Sequence, residues 1–134
     1  IHPFNIGVAD HAGERRLYLG EGSPYHTLFS DDANGNSVAI DCTTLRDIFE
    51  QEGIEKCDLL KLDCEGAEFE ILYNTPDDYL HRTKCIRLEY HNLDNDKNNV
   101  SELKRYLESK GFRETTPQRA VFGDCNNSWF ERIV

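Results

Sequence analysis

Asp58-Leu59-Leu60-Lys61-Leu62-Asp63-Cys64-Glu65-Gly66-Ala67-Glu68 reads as a strand, a tight turn and the start of a helix in immediate succession. From Cys57 to Asp63 the apolar residues are nearly continuous and bounded by acids, the pattern of a parallel strand buried on both faces. After Gly66 the period becomes helical, with Ala67, Ile71 and Leu72 on one side and Pro76 marking the end. In an open α/β sheet, ligands lie outside the carboxyl ends of the strands, where strand–helix turns converge. Asp63 and Glu65 can both point into such a crevice and hold a proton, a ligand hydroxyl or a hard cation. The plainer reading makes Asp63 the helix cap and sets Glu65 and Glu68 at the helix's positive end. Lys61, inside an apolar strand, needs a carboxylate partner if its ammonium is buried, and Asp63 or Glu89 can supply one.

Downstream, Cys85 to His91 alternates, with Ile86, Leu88 and Tyr90 on one face and Arg87, Glu89 and His91 on the other. That pattern predicts the next strand. His91 ends it and reaches the same sheet edge, where it is either a base or donor near neutral pH or a surface histidine. Asn92 to Asn99 is a polar loop. Asn99 then caps a helix with Glu102 at its third position, a capping box in form. Val100, Leu103 and Leu107 are its stripe and Gly111 its end. Phe112 to Thr116 and Trp129 to Val134 read as two further strands.

Upstream, Leu45, Ile48, Phe49 and Glu52 fall on one helical stripe, with Thr43 or Thr44 as N-cap and Gly53 at the left-handed end. Ser37 to Asp41 is a short strand with Val38 and Ile40 on one face. Residues 20–36 form a long loop in which His26 to Phe29 is a brief strand. Ile1 to Asp10, with Phe4, Ile6 and Val8 at period two, predicts an opening strand. A turn over His11 to Glu14 follows, and Arg15 to Leu19 resumes with Leu17 and Leu19 on one face. Strand–helix alternation followed by a terminal strand pair predicts an α/β domain spanning residues 1–134.

With 15 Lys and Arg against 25 Asp and Glu, the net charge is −10. Nucleic-acid surfaces need clustered Lys and Arg, so that partner is not expected. No apolar run is long enough to span a membrane or form a signal-peptide core, which points to a soluble, cytoplasmic protein. Cys42, Cys57, Cys64, Cys85 and Cys125 stand at irregular spacings without a C-x-x-C pair. They read as reduced thiols rather than a zinc site or disulfide framework, and no metal is assigned.

The segment D-L-L-K-L-D-C-E-G-A-E-F-E-I-L (58–72) resembles the signature D-[LI]-[LI]-K-[IL]-D-x-E-G-x-E of the FkbM family of S-adenosylmethionine-dependent methyltransferases. The flanks agree. N-I-G-V-A-D-H-A-G-E-R-R-L-Y-L (5–19) resembles the family's segment after its third strand. T-T-L-R-D-I-F (43–49) resembles its helix start, with Arg46 in place of an acid, and I-R-L-E-Y-H (86–91) resembles its following strand.

The resemblance implies a Rossmann-like methyltransferase fold, with a mixed, mostly parallel sheet and helices on both faces. It implies methyl transfer from S-adenosylmethionine to an oxygen, often on a carbohydrate or natural product. Asp63, Glu65 and His91 become the catalytic candidates, and Asp10 and Asp63 the cofactor contacts, Asp10 at the adenine end. A divalent cation on the carboxylates is the alternative way to activate the acceptor. A non-catalytic α/β binding domain and an acidic metal-binding domain are the competing classes.

Ile1 opens the chain, Met is absent, and no G-x-G-x-x-G occurs. The family's first strands and glycine-rich loop are therefore expected upstream. Lacking them, the chain alone is expected to bind cofactor poorly and be inactive. Either the opening segment pairs elsewhere, or residues 1–40 dock poorly and leave the strand at 58–63 with an open edge; the chain alone is then expected to be oligomeric, aggregation-prone or ordered mainly from about residue 37 onward.

Overall fold

In chain order, the computed structural model places β1 (Gly7–Val8), β2 (Gly13–Leu19), β3 (His26–Thr27) and β4 (Ser37–Thr43) ahead of helix α1 (Leu45–Gln51). There follow β5 (Cys57–Asp63), α2 (Glu68–Asn74), α3 (Asp77–Leu80), β6 (Thr83–Glu89), α4 (Val100–Ser109), β7 (Phe112–Glu114) and β8 (Asn127–Arg132). The structure describes residues 1–19, 26–28, 36–94, 96–115 and 127–133. Most of the expected loop at 20–36 lies outside them, as do Phe29, Thr116, Cys125 and Val134.

The helices form where local chemistry asks for them. Thr44 caps α1, its hydroxyl accepting the Asp47 amide at 3.0 Å, and Gly53 follows at φ +62°. Asn99 caps α4 in the same way, accepting the Glu102 amide at 3.1 Å. The Glu102 carboxylate turns to Arg105. Leu103 and Leu107 carry the buried stripe of α4, and Gly111 stands at φ +84° after it. Pro76, expected only to end a helix, also starts the short α3 as its N-cap, where its fixed φ suits a helix entry.

Two four-stranded sheets result, ordered β1-β4-β2-β3 and β5-β6-β8-β7. Only β1–β4 and β5–β6 pair in parallel; the other four pairings are antiparallel. The expectation of a mostly parallel sheet is thus corrected. Parallel neighbours need a long crossover, and the segment with α2 and α3 supplies one between β5 and β6, whereas β7 and β8 return on each other.

The opening strand is also shorter than expected. Its ladder with β4 closes only at Gly7↔Cys42 and Val8↔Thr43, and Phe4 is 60% exposed. It lies in a different sheet from β5, so the opening segment pairs elsewhere than beside that strand.

One core gathers the second sheet and the helices. Leu62, Ile86, Leu88, Phe112 and Phe130 of the second sheet pack with Leu45 and Phe49 of α1, Phe69, Ile71 and Leu72 of α2, Leu80 of α3, and Leu103 and Leu107 of α4. The four helices among the described residues therefore share a core with one face of this sheet. The opposite face carries Leu59, Lys61, Arg87 and Trp129, with the Arg87 guanidinium 4.8 Å from the Trp129 ring centre. Leu59 is 55% exposed and β5 is an edge strand. This corrects two expectations: β5 is not buried on both faces, and helices do not cover both faces of the sheet among the described residues. An apolar run reports that a strand borders a core, not that neighbours flank it on every side.

Candidate active site at the strand–helix turn

The chain leaves β5 at Asp63 and enters α2 at Glu68 through a turn with two left-handed residues, Glu65 at φ +50° and Gly66 at φ +104°. A left-handed non-glycine residue is uncommon and must be held in place. Glu68 holds it. Its side chain is fully buried, with Oε1 accepting the Cys64 N–H at 2.6 Å and Oε2 accepting the Gly66 N–H at 2.9 Å. A Cβ on Gly66 would stand 2.9 Å from Leu93 Cδ2. Glycine is favoured there by conformation, and any side chain would also have to displace the Leu93 methyl.

The plainer reading of the acids holds for Glu68, which stands in the first turn of α2, and is corrected for Asp63. The N-cap of α2 is Ala67, without a side-chain hydrogen bond, so Asp63 does not cap the helix. Asp63 instead accepts from Lys61 Nζ at 2.7 Å, both side chains being open to solvent. Lys61 is thus no buried ammonium.

His91 follows β6 by two residues and meets the turn. Its Nε2 lies 3.4 Å from Glu65 Oε2 and its Nδ1 3.7 Å from Glu68 Oε1. Nδ1 is buried without a hydrogen-bond partner among the described residues. The loop after His91 is braced from within. Asp94 Oδ1 accepts the amides of Asp96, Lys97 and Asn98, each at 2.9 Å. These bonds, the Asn98 amide first, hold the Asp94 carboxyl below the usual range. Leu93, in the same loop, is thereby delivered onto Gly66.

Asp10 lies apart from this group. It sits 2.6 Å from His11 Nδ1 and accepts from Arg15 at 2.9 Å, while Arg15 approaches Glu70 of α2 at 3.5 Å. Burial pushes the Glu70 carboxyl up, against the pull of Arg15. A cavity of about 230 Å³ opens here, bordered by Asp10, His11, Thr44, Arg46 and Asn74.

Of the residues singled out from sequence, the structure joins Glu65 to His91, ties Asp63 to Lys61, and sets Asp10 beside a separate polar cavity. Sequence reasoning missed the inward role of Glu68. The signal was present: Glu68 stands on the same helical stripe as Ile71, Leu72 and Thr75, all of them buried. An acid on an apolar stripe demands internal partners.

The carboxylate–imidazole pair lies at the carboxyl ends of two adjacent parallel strands, the edge at which open α/β sheets place their ligands. The chain belongs to the FkbM methyltransferase domain family, whose profile, described as Methyltransferase FkbM domain, matches residues 3–114. No curated protein and no solved structure matches the chain. Among the described residues, no helix is long and apolar enough to cross a membrane. No group of three His, Cys, Asp or Glu side chains among them is arranged to hold a metal ion. Cys42, Cys57, Cys64 and Cys85 are free thiols.

Proposed function

We propose that this chain forms the catalytic part of an S-adenosylmethionine-dependent O-methyltransferase acting on a hydroxyl of a carbohydrate or natural-product acceptor. The observation that carries the reading is the Glu65–His91 pair at the carboxyl ends of β5 and β6. The residues present suit one end of the cofactor. The cavity beside Asp10, about 230 Å³, is below the roughly 300–1,000 Å³ of pockets that hold a whole drug-sized ligand. Asp10 at its border would accept from the adenine amino group, and Asp63 at the end of β5, which does not border that cavity, would be a second contact. When bound, the cofactor supplies a methyl group on a positively charged sulfur.

Glu65 receives the proton that the acceptor hydroxyl loses as its oxygen gains the methyl group. His91, behind it, holds the carboxylate in place. Alignment of the hydroxyl and removal of its proton are the protein's share of such a displacement.

The test is transfer of labelled methyl groups to hydroxyl acceptors, with calorimetry of S-adenosylmethionine binding alongside. Glu65→Gln is expected to lower the rate by about 10²–10⁴-fold, the usual contribution of a general base, with the melting temperature little changed. Full activity in that variant, or no cofactor binding by the longest form of the protein, overturns the reading.

A further inference from the structure

We infer that Glu68, which the proton transfer above does not use, is the positioning residue of this site: its buried carboxyl fixes where Glu65 and His91 meet. Its consequence for activity rests on the methyl-transfer reading; its geometry does not.

A carboxyl group that served only helix α2 would accept the amides of the helix's own first turn. Glu68 reaches backward instead. Its two oxygens take the amides of Cys64 and Gly66, the residues on either side of Glu65. Backbone amides presented by a left-handed turn form a concave nest that favours an anionic group, and Glu68 fills this one from inside the protein. The Asp63–Cys64 peptide before the turn and the Glu65–Gly66 peptide after Glu65 are thereby both tied to one carboxylate, which holds Glu65 between them at φ +50°. The oxygen that holds the Cys64 amide also faces His91 Nδ1 at 3.7 Å. One side chain therefore sets the backbone of the first partner and confronts the ring of the second. Leu93 against Gly66 closes the turn from the outer side.

Nuclear magnetic resonance on the whole chain tests this without cofactor or acceptor. Spectra of the unsubstituted protein, Glu65→Gln, Glu68→Gln and the double variant are compared. Glu65→Gln is expected to move the His91 ring signals, and the displacement to shrink at least twofold when Glu68→Gln is already present. The Cys64 and Gly66 amides should then exchange at least tenfold faster, while Leu103 and Phe130 keep their protection. An equal His91 displacement in both backgrounds, with the two amides still protected, overturns the proposal. Should Glu68→Gln fail to fold, Glu68→Asp, which keeps the acid and withdraws it by one methylene, is read by the same criteria. In the methyl-transfer assay Glu68→Gln should lower kcat about a hundredfold, the scale of a 1 Å misplacement, with KM for the donor unchanged. If no variant transfers methyl groups, the functional reading fails and the spectra still decide the role of Glu68.

Discussion

The sheet of β5, β6, β8 and β7 and the sheet of β1, β4, β2 and β3 have four strands each, but they are held by different means. In the former, Ile86, Leu88, Phe112 and Phe130 are buried under the helices and the parallel ladder runs the length of β5. In the latter, the buried hydrophobic residues among those described are Ala9 and Cys42, with Val38, Leu19 and Phe4 exposed, and the long antiparallel ladder of β2 with β4 does most of the holding. The carboxylate–imidazole pair sits on the first kind of ground. Precise placement of reacting groups depends on neighbours that cannot yield, and only one of the sheets supplies them.

That contrast can be broken in order of size. Phe130→Ala, in the packed sheet, is expected to cost about 3–5 kcal/mol by denaturant melts, whereas Val38→Ala, in the open one, should cost less than about 0.5 kcal/mol. Equal costs would mean that the sheets are not different in kind. Next comes a tight spot of the open sheet, Gly7, where an added Cβ would stand 2.7 Å from Cys42 Sγ and 3.0 Å from Ile40 Cδ1. Gly7→Ala should cost about 1–3 kcal/mol by overpacking, and a neutral result would show that β1 is free to shift.

The smallest effect concerns the Arg15–Glu70 contact between β2 and α2. Burial raises the Glu70 pKa above its ordinary 4.5, so the folded state holds this proton more tightly than the unfolded one. Stability from this group is therefore fully present below about pH 4.5 and is lost as pH rises through the higher folded value. Melting curves of Glu70→Gln against the unsubstituted protein should show the difference developing in that window and flat above it.

Helices α1 and α4 were legible because their signals are local, whereas the short α3 carried none. Thr44 and Asn99 are caps within a few residues of the amides they serve, and Leu103 and Leu107 mark a stripe. The extent of β1 and the surroundings of β5 were not, because both depend on what lies beside a strand in space. Leu59-Leu60-Lys61-Leu62 reads the same in a central strand and at an edge. Family resemblance located the acidic turn, yet among Asp63, Glu65 and Glu68 it did not say which acid turns inward. That choice is made by the left-handed turn at Glu65 and Gly66 and by the arrival of His91 and Leu93 from another strand.

The Cys64 amide is one of the two that Glu68 holds, and its thiol is pushed up to about 11 by burial. At pH 7 that leaves roughly one molecule in ten thousand as the reactive thiolate. Electrophiles and oxidants therefore find little to attack while the turn stays closed. A thiol-reactive probe is therefore expected to label Cys64 slowly, and faster in Glu68→Gln, where the turn loses the two hydrogen bonds that hold it.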